Sequence, residues 1–528
     1  MIFRSPFPDV SVPEISLTEL IFERARTRTE KPALIDGLSG RTLTYGQLME
    51  QVRRVAAGLA ARGFRKGDVL ALYSPNCPDY AVVFHAVASL GGINTTINPV
   101  YTADEAAHQL RDASADYLVT TPQLVEKVLE AVEGSEVREV FIFGEAKGAT
   151  PFSALLESDA DTAPRVSIDP RRDLVALPYS SGTTGLPKGV MLTHYNLVAN
   201  LLQIEGTGHA FEHDTLVCVL PLFHIYGMTV IMNFGLYTGA TIITMPRFEL
   251  ELTLQVIERY RVTMAHFVPP IILALAKHPA LDAHDLSSLK TIFSAAAPLG
   301  EQVASECSAR LGCFLKQGYG MTEASPATHM APHDPARVKQ GSVGLPVPNT
   351  ECKIVDVETG AERGAGQEGE ILVRGPQVMK GYLNRPEATA QTIDADGWLH
   401  TGDIGYADSE GCFFIVDRAK ELIKYKGFQV APAELEAILL SHPSVADAAV
   451  IPSPDDEAGE VPKAFVIRRD DVTADALISF VAGQVAPYKK IRKLEFIEQI
   501  PKSPSGKILR RLLVQRERAG DGGKGDGG

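Results

Sequence analysis

Short apolar runs rich in β-branched residues alternate with longer amphipathic runs over roughly the first two thirds of the chain, which restricts the fold to α/β layers on mostly parallel strands. Thr44 is placed to cap a helix over 45–62, where apolar residues recur at helical spacing. A strand at 68–73 and a helix at 80–90 follow, and Gly91-Gly92 ends that helix. Further strands are expected at 115–120, 139–143 and 173–179. Past Glu351 the runs shorten and Gly punctuates them, so 354–357, 369–373 and 411–416 predict a smaller β-rich subdomain. Pro432 opens a helix reaching Leu440. Strands at 445–452, 463–468 and 496–500 complete an α+β tail whose boundary lies around Asp417-Arg418-Ala419-Lys420.

A chain of 528 residues has room for two or more domains. Its formal net charge of −14 disfavours nucleic acid as a partner but leaves local basic pockets for phosphates. Cys77, Cys218, Cys307, Cys313, Cys352 and Cys412 follow neither disulfide-framework nor zinc-ligand spacing, and they point to a reducing cytoplasm. From Leu216 to Met245 no Asp, Glu, Lys or Arg occurs. Pro221, His224, Gly227, Asn233, Gly235 and Gly239 interrupt that stretch, so strand, loop, helix and strand are expected there and no membrane span.

The sharpest local signal is Tyr179-Ser180-Ser181-Gly182-Thr183-Thr184-Gly185-Leu186-Pro187-Lys188-Gly189-Val190, a Gly- and hydroxyl-rich loop with one Lys after a strand. Glycines permit tight turns, amides and hydroxyls donate to phosphate oxygens, and the ammonium of Lys188 offsets their charge. The spacing is not that of a Walker loop, because Pro187 and Gly189 stand where Gly and a hydroxyl would be needed. Gln317-Gly318-Tyr319-Gly320-Met321-Thr322-Glu323 adds a ring, a hydroxyl and a carboxylate suited to a nucleotide and Mg²⁺. In Trp398-Leu399-His400-Thr401-Gly402-Asp403, the carboxylate of Asp403 is suited to accept both ribose hydroxyls, and Arg418 to donate from the domain boundary. The tail carries two lysine loops, Lys424-Tyr425-Lys426-Gly427-Phe428-Gln429 and Pro501-Lys502-Ser503-Pro504-Ser505-Gly506-Lys507.

Together these motifs, in this order and over nearly the whole chain, resemble the adenylate-forming superfamily of acyl-CoA ligases, luciferases and peptide-synthetase adenylation domains. Pro221-Leu222-Phe223-His224-Ile225-Tyr226-Gly227-Met228 and the segment from Lys420 to Glu436 look most like 4-coumarate:CoA ligases. The resemblance implies an α/β fold: a large multi-subdomain N-terminal body of layered α/β sheets with a β-rich subdomain, and a small mobile α+β C-terminal domain. It divides the chain into 1–417, a hinge at 418–420 centred on Lys420, a mobile domain at 421–519 and a disordered tail at 520–528. The implied reaction joins a hydroxycinnamic or cinnamic acid to coenzyme A through an acyl-AMP, consuming ATP with Mg²⁺ and releasing pyrophosphate.

By the same resemblance Lys507 serves adenylation. Ser180, Ser181, Gly182, Thr183, Thr184, Gly185 and Lys188 hold phosphates, Gln317, Gly318, Tyr319, Gly320, Met321 and Thr322 line the nucleotide, Asp403 and Arg418 hold ribose, and Glu323 is the Mg²⁺ carboxylate. Lys424 and Gln429 serve the thiol step, with Lys426 and Gly427 near coenzyme A, and His224 is a neutral positioning donor or gate. Ile225, Tyr226, Thr229, His266, Ser294, Ala295, Ala296 and Gly318 line the acyl pocket, with Tyr226 offered either to a para hydroxyl or to ring packing. Ala295 and Pro326-Ala327-Thr328 depart from the plant coumarate-ligase pattern, which leaves the preferred ring acid open. A medium-chain fatty acyl-CoA ligase is the close alternative, and a catalytically silent nucleotide-binding scaffold the alternative from another class. The two chain ends fit a bacterial cytoplasmic enzyme, and a monomer or weak homodimer is expected.

Overall fold

The computed structural model describes every residue except 181–186, 210, 427, 456, 505 and 522–528, with 518–521 described by backbone alone. Among the described residues two sheets, of eight and nine strands, build the body. In the first, Leu174–Ser180, Ile93–Thr96, Val69–Tyr73, Tyr117–Thr120 and Glu139–Ile142 run parallel. In the second, Phe314–Gly320, Thr291–Ser294, Met264–Phe267, Thr215–Cys218 and Thr241–Thr244 do so. Helices cover such strands on both faces, so Val69–Tyr73 is buried throughout and reads as a continuous apolar run.

The sequence dictates where the covering helices start. Thr44 accepts from the Gln47 amide and the Gln47 side chain returns to the Thr44 amide, so the helix begins at Tyr45 and runs to Ala61. Its apolar face buries Leu48, Val52, Val55 and Leu59, each contributing about 1.5–3 kcal/mol when removed from water.

The uncharged stretch resolves into the strand Thr215–Cys218, a π-helix at Tyr226–Asn233 that continues as an α-helix at Phe234–Thr238, and the strand Thr241–Thr244. Among the described residues no helix is long and apolar enough to cross a membrane. At the end of the π-helix the Asn233 side chain donates from Nδ2 to the Met228 carbonyl at 2.8 Å.

The β-rich subdomain is an antiparallel sheet of Glu351–Val355, Gly369–Arg374, Leu399–Ala407 and Phe413–Arg418, with Ile2–Arg4 added at its edge. In the tail, Val445–Asp455 and Gly459–Arg468 form a long antiparallel ribbon backed by the helices Pro432–Ser441 and Ala474–Ala482. Ile423, Val430, Leu435, Leu439, Val466 and Leu477 share its core.

Two expectations for the tail need correcting. The last strand is Lys493–Phe496, pairing parallel to Lys463–Val466, and not 496–500. Ile497 and Ile500 instead turn toward Ala449, Ile451 and Phe465. A helix spans Arg510–Asp521, so Gly520 and Asp521 are helical and not tail, while the remainder of the expected tail lies outside the described residues.

Candidate active site

The Gly- and hydroxyl-rich loop joins the antiparallel strands Leu174–Ser180 and Lys188–Thr193, with Lys188 opposite Ser180. Ser181, Gly182, Thr183, Thr184 and Gly185 lie outside the described residues. At the base of this hairpin the buried Glu323 carboxylate accepts from Ser180 Oγ at 2.9 Å and from the Tyr382 hydroxyl at 2.8 Å, both on Oε1. The ammonium of Lys188 stands 4.9 Å over the Tyr382 ring. Gln317 to Met321 lead from the neighbouring strand Phe314–Gly320 into the 3₁₀ turn Thr322–Ala324 that presents Glu323.

Glu323 is one carboxylate with two hydroxyl donors, and among the described residues no group of three His, Cys, Asp or Glu side chains is placed to hold a metal. Such a donor set fits Mg²⁺ arriving on a triphosphate and keeping phosphate and water oxygens, not an ion caged by protein.

Asp403 and Arg418 face each other in register on the hairpin Leu399–Ala407 and Phe413–Arg418. Arg418 Nε lies 3.4 Å from Asp403 Oδ1, and the Tyr319 hydroxyl donates to Asp403 Oδ2 at 2.5 Å. Burial pushes the Asp403 carboxyl up from its ordinary value, against the opposing pull of Arg418 and the Tyr319 hydroxyl. The same burial and the adjacent carboxylate raise the Tyr319 phenol well above 10. Tyr319, expected beside a base, thus also holds the Asp403 carboxylate in place.

Lys507 enters from the tail. Its amide donates to Ser503 Oγ at 3.1 Å, and Gly506, at φ +78°, packs where a Cβ would meet Val268 Cγ2 at 2.8 Å. Val268 lies directly past the end of the strand Met264–Phe267, in the crevice beyond the carboxyl ends of parallel strands where open α/β sheets bind ligands. Burial first, then the charge of Arg418, lowers the Lys507 ammonium to about 8, opposed by Glu421 and Asp403. Burial, and next the Lys507 charge, lowers His224 to about 4, so its imidazole is neutral. Its Nδ1 accepts from the Tyr226 amide at 3.3 Å, leaving Nε2 to carry the proton.

Lys424 and Gln429 are not brought to this place. They pair across the hairpin Ile423–Tyr425 and Phe428–Val430 and are both exposed. Lys426 ion-pairs with Glu457, Gly427 lies outside the described residues, and Lys420 is exposed in the turn joining the body to the tail.

Around the expected acyl pocket Ile225, Tyr226, Thr229, His266 and Gly318 are buried. The Tyr226 hydroxyl donates to the Phe293 carbonyl at 3.2 Å. Ser294 pairs with Gln317, one residue out of step with Gly318, and so lies on the other face of the sheet from Gly318. Ala295 is partly buried, and Ala296 is exposed in the left-handed region at φ +75°. Beside Gly318 lies the Phe293 ring, which a Cβ there would meet at 2.7 Å.

Sequence reading missed Tyr382 and the partly buried Arg510, which ion-pairs with Glu421 and, at 2.7 Å, with Glu436. Arg510 opens the last helix three residues after Lys507, and nothing in the local sequence marks its distant carboxylate partners.

The AMP-binding enzyme family model matches residues 21–383, and that of the AMP-binding enzyme C-terminal domain matches 434–507. The 4-coumarate–CoA ligase 5 of Oryza sativa subsp. japonica is 48% identical over 530 residues, 98% of each chain. The anthranilate CoA ligase AuaEII in complex with anthranoyl-AMP superposes with a TM-score of 0.88 at 27% identity, covering 97% of this chain and 99% of that one. ATP-bound MatB from Rhodopseudomonas palustris gives 0.85 at 29% identity over 95% of this chain and 99% of its own. Apo MatB gives 0.77 at the same identity, over 96% and 99%. The bacterial origin expected from the chain ends draws no support from the rice relative. With both family models matched in order and a curated relative aligned end to end, the chain belongs to the AMP-binding enzyme family, the adenylate-forming family of the 4-coumarate–CoA ligases.

Proposed function

We propose that this ATP-dependent acid–thiol ligase activates a hydroxycinnamic or cinnamic acid and transfers it to coenzyme A. The observation that carries the reading is Lys507, delivered by the tail beside the neutral His224 and the Asp403–Arg418 pair at the carboxyl end of parallel strands.

In the first step a carboxylate oxygen attacks the α-phosphorus of ATP and the bond to the β-phosphate breaks, releasing pyrophosphate. The Lys507 ammonium binds the charge that builds between the carboxylate and the α-phosphate, where removal from water strengthens the attraction. Asp403 and Arg418 hold the ribose, Tyr319 orients Asp403, and Ser180, Lys188 and the 181–185 loop receive the outgoing phosphates. Glu323 would hold Mg²⁺, which when bound neutralises phosphate charge. In the second step sulfur attacks the acyl carbon, the bond to AMP breaks and the thiol proton leaves to solvent. Lys424, Gln429 and Lys426 serve this step after the tail rotates about Lys420, which brings their exposed face to the site. His224 donates from Nε2 to the acyl group and acts as a neutral gate.

Six unpaired thiols and the net charge of −14 support a cytoplasmic enzyme without nucleic-acid partners, and a monomer or weak homodimer is the expected assembly. The test is a panel of cinnamate, 4-coumarate, caffeate and octanoate with ATP and Mg²⁺, following pyrophosphate and AMP with and without coenzyme A. The ring acids should give CoA-dependent AMP. A preference for octanoate would replace the aromatic reading, and no pyrophosphate with any acid would refute the ligase.

A further inference from the structure

Beneath the expected acyl pocket three parallel strands present one register row: His266, Phe293 and Lys316. Gly318 lies two residues further along the strand of Lys316, on the same face, so the row sits about 6.6 Å deeper than the pocket wall. Tyr226 packs edge-on to His266 at 5.8 Å between ring centroids, which places the π-helix over this same face.

Lys316 is 3% exposed and His266 1%. A buried ammonium is costly unless hydrogen-bonded or paired. Lys316 Nζ lies 2.8 Å from His209 Nε2. The Thr207 hydroxyl donates to the Ile204 carbonyl at 2.7 Å, so its oxygen accepts from His209 Nδ1 at 2.7 Å. That chain fixes the tautomer: Nε2 is a lone pair and Lys316 is its donor. Among the described residues Lys316 has no other hydrogen-bond partner and no carboxylate within ion-pair distance; Asp214 acts from farther off, its Oδ1 accepting from the Thr263 hydroxyl at 2.7 Å. Two of its N–H groups are left over. On the same row His266 Nδ1 is buried without a partner among the described residues.

We infer that Lys316 and His266 form a distal subsite of the acyl pocket that takes a hydroxyl at the far end of an aromatic acid, Lys316 donating to its oxygen and His266 Nδ1 accepting its proton. Phe293, between the two in the row and against the rings of both His266 and His209, is the side chain that yields when the acid enters. A hydroxyl is the group that matches one surplus donor and one surplus acceptor, which an unsubstituted ring leaves unmet. Burial lowers Lys316 only to about 8, so it keeps the proton it donates near neutral pH. Tyr226 does not compete, since its hydroxyl is spent on the Phe293 carbonyl.

The inference rests on the aromatic-acid reading above. It is tested by the ratio of kcat/KM for 4-coumarate to that for cinnamate, each pair measured on one enzyme preparation so that the folded fraction cancels. The wild-type ratio should exceed roughly tenfold, and Lys316→Met should bring it close to one, mainly through loss of 4-coumarate turnover. His266→Phe should lower the same ratio, and it serves where Lys316→Met gives no soluble enzyme. A wild-type preference for cinnamate, or a ratio unchanged in the variant, overturns the subsite while leaving the aromatic ligase intact. Turnover of octanoate with neither ring acid accepted would instead overturn the parent reading, and the subsite with it.

Discussion

Gly506 and Val268 meet across the boundary between tail and body so closely that a Cβ on Gly506 would stand 2.8 Å from Val268 Cγ2. The residue after Gly506 is Lys507, so this contact sets how far the ammonium reaches toward His224. Gly506→Ala adds that collision and a left-handed strain of about 1–2 kcal/mol. Acid-dependent pyrophosphate release should fall by roughly tenfold or more for that energy. Thioester formation from supplied acyl-adenylate should fall less, and an equal loss in both assays would detach the contact from adenylation.

The pH profile should carry the signature of a buried lysine. Lys507 is lowered to about 8 by burial and the neighbouring Arg418, with Glu421 and Asp403 opposing. Its charged form, needed for adenylation, is present below that value and lost as pH rises through it, so kcat/KM for adenylation should decline above about 8. The free tail, with an ordinary lysine, binds the proton up to higher pH, so closure of the apo enzyme becomes easier between about 8 and 10.5 as activity falls. His224 titrates near 4 and should add no limb above pH 5.

Tyr382→Phe removes one of the two hydroxyls on Glu323 Oε1, a bond to a charged group worth about 1.5–3 kcal/mol. The variant should need more Mg²⁺ for half-maximal adenylation, with the KM for coenzyme A unmoved. An unchanged Mg²⁺ titration would place Glu323 outside metal handling.

Lys424 and Gln429 stand exposed on one hairpin face while Lys507 is partly buried. Lys424→Ala should therefore spare ATP–pyrophosphate exchange and depress thioester formation, and Lys420→Pro should do the same by stiffening the turn. Loss of exchange in either variant would argue against two poses.

What was legible in the chain was what glycine and charge mark locally. Asp403 and Lys507 each directly follow a glycine of positive φ, Gly402 and Gly506, and Glu323 sits in the 3₁₀ turn Thr322–Ala324. Side-chain direction was not legible. The run Ser294-Ala295-Ala296 does not say which face it shows, and only pairing with Gln317 puts Ser294 on the other face from Gly318. The fate of the Tyr226 hydroxyl depends on a carbonyl carried by another strand. Lys316 reads as an ordinary charged residue until three strands come into register and bury it. At the tail, Phe496-Ile497-Glu498-Gln499-Ile500 has the apolar content of a strand, but the strand pairing is made by the alternating Lys493-Leu494-Glu495-Phe496 just before it.

The account stands most directly on one comparison: Lys507→Ala against wild type in ATP–pyrophosphate exchange and in thioester formation from supplied acyl-adenylate. Removing a charge aimed at the developing transition state should cost exchange about 10²–10³-fold, with the second half-reaction kept within a few fold. Exchange that survives in the variant, or a matching collapse of both half-reactions, would contradict it.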